Sequence, residues 1–205
     1  MTPLSIKFMP NPIQQSRNFA FNSIMSNYSQ VAILAGGCFW CIETTLNRLI
    51  GVKEVISGYT AGKIPNPTYR EVCSGLTGHA EAVKVVFDPD QISYEMLLKV
   101  FFAMHDPTTL NRQGADIGTQ YRSAIYYYND EQKQTAEALI KQLESEGVFN
   151  KIVTEVSPAD TFYVAEDYHQ NYYEQNRQSN SYCTAVIDPK VNKLRKSFAH
   201  LLKSE

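Results

Sequence analysis

One junction near the start of the apolar pattern sets the terms for everything that follows. Residues 31–34 form a short hydrophobic run that ends on Gly36-Gly37, and from Cys38 onward Ile42, Leu46 and Leu49 recur at helical spacing until Gly51. This pattern predicts a strand that enters a tight turn and opens directly into a helix. The rest of the chain repeats the mixture. Further strands are expected at 52–59, 80–87, 121–128 and 152–156. Helices are expected from Thr68 through Cys73, from Ser93 to Met104, and over 131–146, 165–176 and 189–203, with Thr68 and Ser93 as caps. Residues 105–120 read as a long loop, and loops of that length in compact domains are usually functional. A second loop, between the last two helices, carries Cys183. Strands and helices interleaved in this way imply an α+β fold over an antiparallel or mixed sheet.

Composition narrows the class. The 205 residues are 43% hydrophobic and 20% charged, enough for one well-buried core and unlike a disordered or fibrous chain. Nineteen basic against twenty-one acidic residues leave a formal charge of −2, with no electrostatic footprint for nucleic acid or an anionic membrane. No apolar run is long enough to span a bilayer. Residues 1–30 read as a flexible extension and 31–205 as a single catalytic domain, expected to be monomeric. Four cysteines are too few to replace a core with disulfides. The first thirty residues lack a secretory apolar stretch, so thiols in a reducing, cytoplasmic setting are expected.

The chemistry points to the same junction. Cys38 falls where the strand ends and the helix begins, and there free backbone N–H groups and the helix dipole favour a low-pKa thiolate nucleophile over a buried structural cysteine. Phe39 and Trp40 would wall an apolar pocket fit for a methyl or thioether group. On the strand 80–87, Glu81 shares its face with Val83, Val85 and Phe87, so desolvation would keep it protonated as a general acid; a solvated place at the strand edge is the alternative. Tyr69, Asp116, Gln120 and Tyr121 supply polar groups nearby in sequence, and tyrosine hydroxyls can donate to a developing oxyanion. His79, His105 and His169 each read as a histidine with a local hydrogen bond. Cys38 and Cys41 could instead form a general thiol–disulfide oxidoreductase pair, or join Cys73 and His79 in a zinc-stabilised interaction module, although the second half of a zinc pattern is missing. No phosphate-binding glycine motif is present, and no cofactor is expected.

Four segments together resemble the peptide methionine sulfoxide reductase A family. They are Gly37-Cys38-Phe39-Trp40, Thr77-Gly78-His79-Ala80-Glu81, the run 106–123 that contains Gly114-Ala115-Asp116-Ile117-Gly118-Thr119-Gln120-Tyr121, and Ala165-Glu166-Asp167-Tyr168-His169-Gln170. The resemblance implies a ferredoxin-like α/β sandwich with a long C-terminal extension. It also implies reduction of the S epimer of methionine sulfoxide, free or in peptides and proteins, with thioredoxin as reductant. It assigns Cys38 as nucleophile, Phe39 and Trp40 as the methyl pocket, Glu81 as proton donor, and Tyr69, Asp116 and Tyr121 as groups that bind the sulfoxide oxygen or orient Glu81. Cys41 stands where many relatives have glycine, and the tail after Cys183 lacks the glycine-rich segment with a further cysteine. Of the two candidate recycling cysteines, Cys183 is favoured for its expected place in a mobile loop, while Cys41 has proximity.

Overall fold

The computed structural model describes residues 28–204; the expected flexible extension therefore lies almost wholly outside the described residues. The described chain begins with β1 (Gln30–Gly36), α1 (Phe39–Leu46), β2 (Val52–Thr60), α2 (Tyr69–Cys73), β3 (Ala80–Phe87) and α3 (Tyr94–Met104). A small hairpin of β4 (Arg112–Gln113) and β5 (Asp116–Ile117) follows, then β6 (Ser123–Tyr127), α4 (Asp130–Ser145), β7 (Glu155–Pro158), β8 (Phe162–Val164), α5 (Tyr172–Asn176) and α6 (Asp188–Ser197). Six strands form one mixed sheet in the order β7-β6-β1-β3-β2-β8, in which only the β6–β7 pair is parallel. This is the α+β architecture that the interleaved pattern predicts.

The period of two along the central strands divides the sheet into two faces. Ala32 and Leu34 of β1, with Val83, Val85 and Phe87 of β3, enter the main core beneath α1 and α3. Ile33, Ala35, Ala80, Ala82, Ala124 and Tyr126 form a smaller cluster that alternates with it. Caps set the helix starts where the sequence puts them. The Thr68 side chain accepts the Glu71 N–H while Glu71 returns a carboxylate to Thr68, closing a capping box, and the Ser93 hydroxyl accepts the Met96 N–H at 3.1 Å.

Four expectations change. The Ile152 N–H is taken by the Glu144 carboxylate at 2.7 Å and the Val153 N–H by the Pro107 carbonyl at 2.8 Å, so the ladder with β6 begins only at Glu155. The strand expected at 121 begins at Ser123, because Thr119–Tyr121 is wound into a 3₁₀ turn after the β4–β5 hairpin. Residues 165–176 are not one helix. Gln170 turns its amide onto both backbone groups of Ser57 in β2, Asn171 adopts a left-handed φ of 51°, and only the short α5 follows.

The fourth change concerns Cys183, which does not sit in a loop. It is fully buried and opens a wide π-helical turn, Cys183–Ile187, that runs straight into α6. Pro189 lies in the first turn of α6 and cannot donate to a carbonyl four residues back, so the preceding turn widens and the Asp188 N–H reaches the Cys183 carbonyl. Cys183, Ile187, Val191 and Leu194 then bury one side of the segment in the main core.

Among the described residues, no helix is long and apolar enough to cross a membrane. Phe101 of α3 is fully buried, with its ring 4.2 Å from that of His105 and against the backbone of Gly36, where a methyl group would come within 2.9 Å of it. Phe101→Ala should therefore lower the unfolding free energy by roughly 3–5 kcal/mol in urea titrations, and an unchanged midpoint would show that this contact does not hold β1 to α3.

Candidate active site

Gly36-Gly37 does what a strand-to-helix turn demands. Gly37 has φ +89°, and a Cβ there would lie 2.5 Å from the Gln113 side chain, so the β4–β5 hairpin closes directly over the turn. Cys38 is the N-cap of α1 and is 7% exposed. The Phe39 N–H, one of the free donors at this helix start, donates at 3.1 Å to Glu81 Oε2 on β3. Glu81 is buried at 1% exposure, and its Oε1 makes no hydrogen bond among the described residues. Burial pushes its pKa up to about 8 against the pull of the Phe39 N–H, and the nearby charges of Asp116 and Cys41 add to the rise. The carboxyl is thus protonated at neutral pH. Since Oε2 is already an acceptor, the proton belongs on Oε1.

The thiols divide their roles in a way the helix dipole alone does not predict. Burial holds the Cys38 thiol well above its ordinary range, and its hydrogen bond to Cys41 works in the same direction. Cys41 is drawn down to about 7, first because it accepts from Cys38 and also because Lys190 contributes positive charge. Desolvation thus opposes the helix N-terminus at Cys38, while the pair as a whole favours one thiolate near neutral pH. The two form one proton-sharing pair.

Aromatic rings close the site. Phe39 stands 5.8 Å from Tyr59 and 6.3 Å from Tyr69, and Trp40 stacks on Tyr172 at 3.7 Å with 7° between the planes. The Trp40 Nε1–H donates to His169 Nδ1 at 3.1 Å, which fixes the histidine proton on Nε2. Glu166 ties two neighbouring elements together, accepting the Tyr59 hydroxyl at 2.8 Å and the Tyr69 N–H at 2.9 Å. Tyr182 packs edge-on to Trp40, donates to Asp116 Oδ2 at 2.9 Å, and acts on both thiols of the pair. Burial, reinforced by the Glu81 charge, raises the hydroxyls of Tyr69 and Tyr121, so both remain donors.

The site thus holds a thiol pair, a neutral buried acid, hydroxyl donors and an apolar wall at one helix N-terminus. A model of the family described as peptide methionine sulfoxide reductase matches residues 30–202. The chain belongs to this family. Its activity is the thiol-dependent reduction of methionine sulfoxide to methionine. The reductase is similar to the peptide methionine sulfoxide reductase MsrA of Deinococcus radiodurans, with 61% identity over 173 residues that cover 84% of each chain. It is 57% identical over 175 residues to the same enzyme from Acinetobacter baumannii, covering 85% of this chain and 99% of the relative. Among solved structures it resembles Mxr1 from Saccharomyces cerevisiae in reduced form, at 34% identity and a TM-score of 0.68 over 75% of this chain and 88% of that one. Methionine sulfoxide reductase A of Corynebacterium diphtheriae is similar at 39% identity and a TM-score of 0.64, over 74% of this chain and 77% of that one.

Cys38, Phe39, Trp40, Cys41, Tyr69, Glu81, Asp116 and Tyr121 all converge on this one region of the reductase, and Cys183 lies beneath it, within electrostatic reach of Cys41. The zinc alternative fails. His79 spends its two ring nitrogens on the Gly62 N–H and the Ile64 carbonyl, and among the described residues no three metal-binding side chains are grouped. Three residues touch the site without a local signal in the sequence: His169 reads as a histidine with a local hydrogen bond, and Tyr172 and Tyr182 are two of thirteen tyrosines with no local pattern to single them out.

With Cys41 ionised above about 7 and Glu81 protonated below about 8, single-turnover reduction should follow a bell whose summit lies between them. Glu81→Gln should remove the alkaline limb and slow the step by roughly 100-fold or more. The same raised carboxyl makes the folded state bind a proton that the unfolded chain releases near 4.5, so its contribution to stability is lost as pH rises from there through about 8. The Gln variant should therefore melt higher than wild type at pH 9 while working more slowly. A lower melting temperature there would contradict the burial argument.

Proposed function

We propose that the reductase acts on the S epimer of methionine sulfoxide in peptides and proteins, with Cys38 as nucleophile, Glu81 as proton donor and the Phe39–Trp40 wall as the site of the substrate methyl. The observation that carries this reading is the buried Glu81 carboxyl, held by the Phe39 N–H beside Cys38 with Oε1 turned to no other partner among the described residues. As the Cys38 sulfur attacks the sulfoxide sulfur, its proton passes to the Cys41 thiolate and the Glu81 proton passes to the sulfoxide oxygen. The S–O bond breaks and the hydroxide released adds to the Cys38 sulfur as the new bond between the two sulfurs breaks, so that methionine departs and Cys38 becomes a sulfenic acid. One negative charge has then moved from Cys41 to Glu81, which recovers its proton from solvent. Tyr69, Tyr121 and Asp116 support the oxygen and the acid.

Recycling requires a second thiol to displace water from the sulfenic acid. The expectation for Cys183 rests on a mobile loop, a premise that its burial in a helical turn removes. Cys41 already shares a hydrogen bond with Cys38, which supports a first disulfide between these two; Cys183, close to Cys41, is the next thiol that could take it over. An external dithiol of the thioredoxin type would then restore the pair.

Cys38→Ser should abolish turnover of S-sulfoxide with dithiothreitol while leaving the fold intact, and activity within a few-fold of wild type would refute the nucleophile. Peptide mapping after one equivalent of substrate without reductant should find the Cys38–Cys41 link first. A Cys38–Cys183 link formed without it would return the recycling role to Cys183.

A further inference from the structure

A second buried carboxyl lies on α1 and takes no part in the reduction. Glu43, one turn beyond Trp40, is 1% exposed. Its Oε1 accepts the Asn171 N–H at 2.9 Å, and the Ser57 hydroxyl and Tyr172 backbone face the same group. Burying a carboxyl is costly where an apolar side chain would fill the space, so what it holds matters. It holds a corner. Asn171, at φ 51°, separates the 3₁₀ turn Asp167–His169 from α5 (Tyr172–Asn176). Two grips on the Trp40 indole come from the two sides of this corner: His169 accepts its N–H, and Tyr172 stacks on its face.

We propose that Glu43 is a positioning residue for the substrate pocket: by pinning the Asn171 N–H to α1 it sets His169 and Tyr172 against Trp40, and through them the angle of the indole wall. The proposal rests on the reading of Trp40 as part of the methyl pocket. Other anchors would survive its loss. Gln170 binds Ser57 and Ala165 on the β2 side, and the Arg48–Glu174 ion pair ties α5 to the end of α1, so a variant at Glu43 should remain folded with only the corner released. Burial pushes the Glu43 pKa up to about 7, so a neutral amide of the same shape is a close substitute for the group at work.

Trp40 is the chain's single tryptophan, so its emission reports the surroundings of this one indole, to which the corner contributes the stacked ring and the hydrogen bond. Three variants test the proposal. Glu43→Met fills the space without an acceptor, and it should change the Trp40 emission and raise KM for a methionine sulfoxide peptide by about 5- to 10-fold, with kcat of the reductive step within about 2-fold. Glu43→Gln keeps an acceptor and should restore both readouts to near wild type. Tyr172→Ala should reproduce the Met variant without touching Glu43, and it carries the test if Glu43→Met does not fold. Wild-type emission and KM in a folded Glu43→Met, or in Tyr172→Ala, would overturn the positioning role, as would a Gln variant as impaired as the Met variant. A changed emission with an unchanged KM would instead overturn Trp40 as the substrate wall, and with it the functional part of the proposal.

Discussion

The hydrogen bond from the Phe39 N–H to the Glu81 carboxyl joins the start of the helix that carries the thiols to the strand that carries the acid. It can form only because the two glycines end β1 abruptly, and because β3 lies beside β1 and brings Glu81 to the same end of the sheet. Its partner across to β2 is Tyr59, whose hydroxyl is spent on Glu166, so the carboxyl has an aromatic residue opposite it. A donor from the backbone fixes one oxygen without supplying charge. The acid is thereby aimed and kept neutral by the same contact.

The neighbouring thiols illustrate a competition between two effects of comparable reach. A helix N-terminus stabilises an anion by fractions of a charge, whereas complete removal from water penalises it more. At Cys38 burial opposes the thiolate, whereas at Cys41 the Cys38 thiol and Lys190 both favour it. The negative charge belongs to the pair as a whole, with one proton shared between its two sulfurs. Position at a helix start is therefore insufficient to decide which sulfur is the thiolate.

What could be read from the sequence was whatever local patterns decide. The β1–α1 junction, the Thr68 and Ser93 caps and the apolar face that carries Glu81 follow from periodicity and turn chemistry within a few residues, and they single out Cys38, Glu81, Phe39 and Trp40, which the fold brings together. The misreadings share the opposite cause. Residues 165–176 break at Gln170 and Asn171 because their side-chain and backbone partners are Ser57 and Glu43, more than a hundred residues away. The start of β7 is displaced by Pro107 and Glu144, and Cys183 is buried by a helical turn whose width reflects Pro189 and whose packing reflects the main core. Tyr182 acquires its place from Asp116 across 66 positions, a relation no window of sequence contains.

The same separations carry a consequence for assembly. His169 is 129 residues downstream of the Trp40 it binds, and β8 pairs with β2 only after most of the sheet has been specified. On a ribosome the thiol pair and its helix therefore emerge long before the rings that shelter them. Until residues 166–187 arrive, the site lacks the cover that His169, Tyr172 and Tyr182 contribute. Premature termination in that interval would leave a chain with its reactive sulfurs exposed, their chemistry untuned and available to any oxidant in the surroundings.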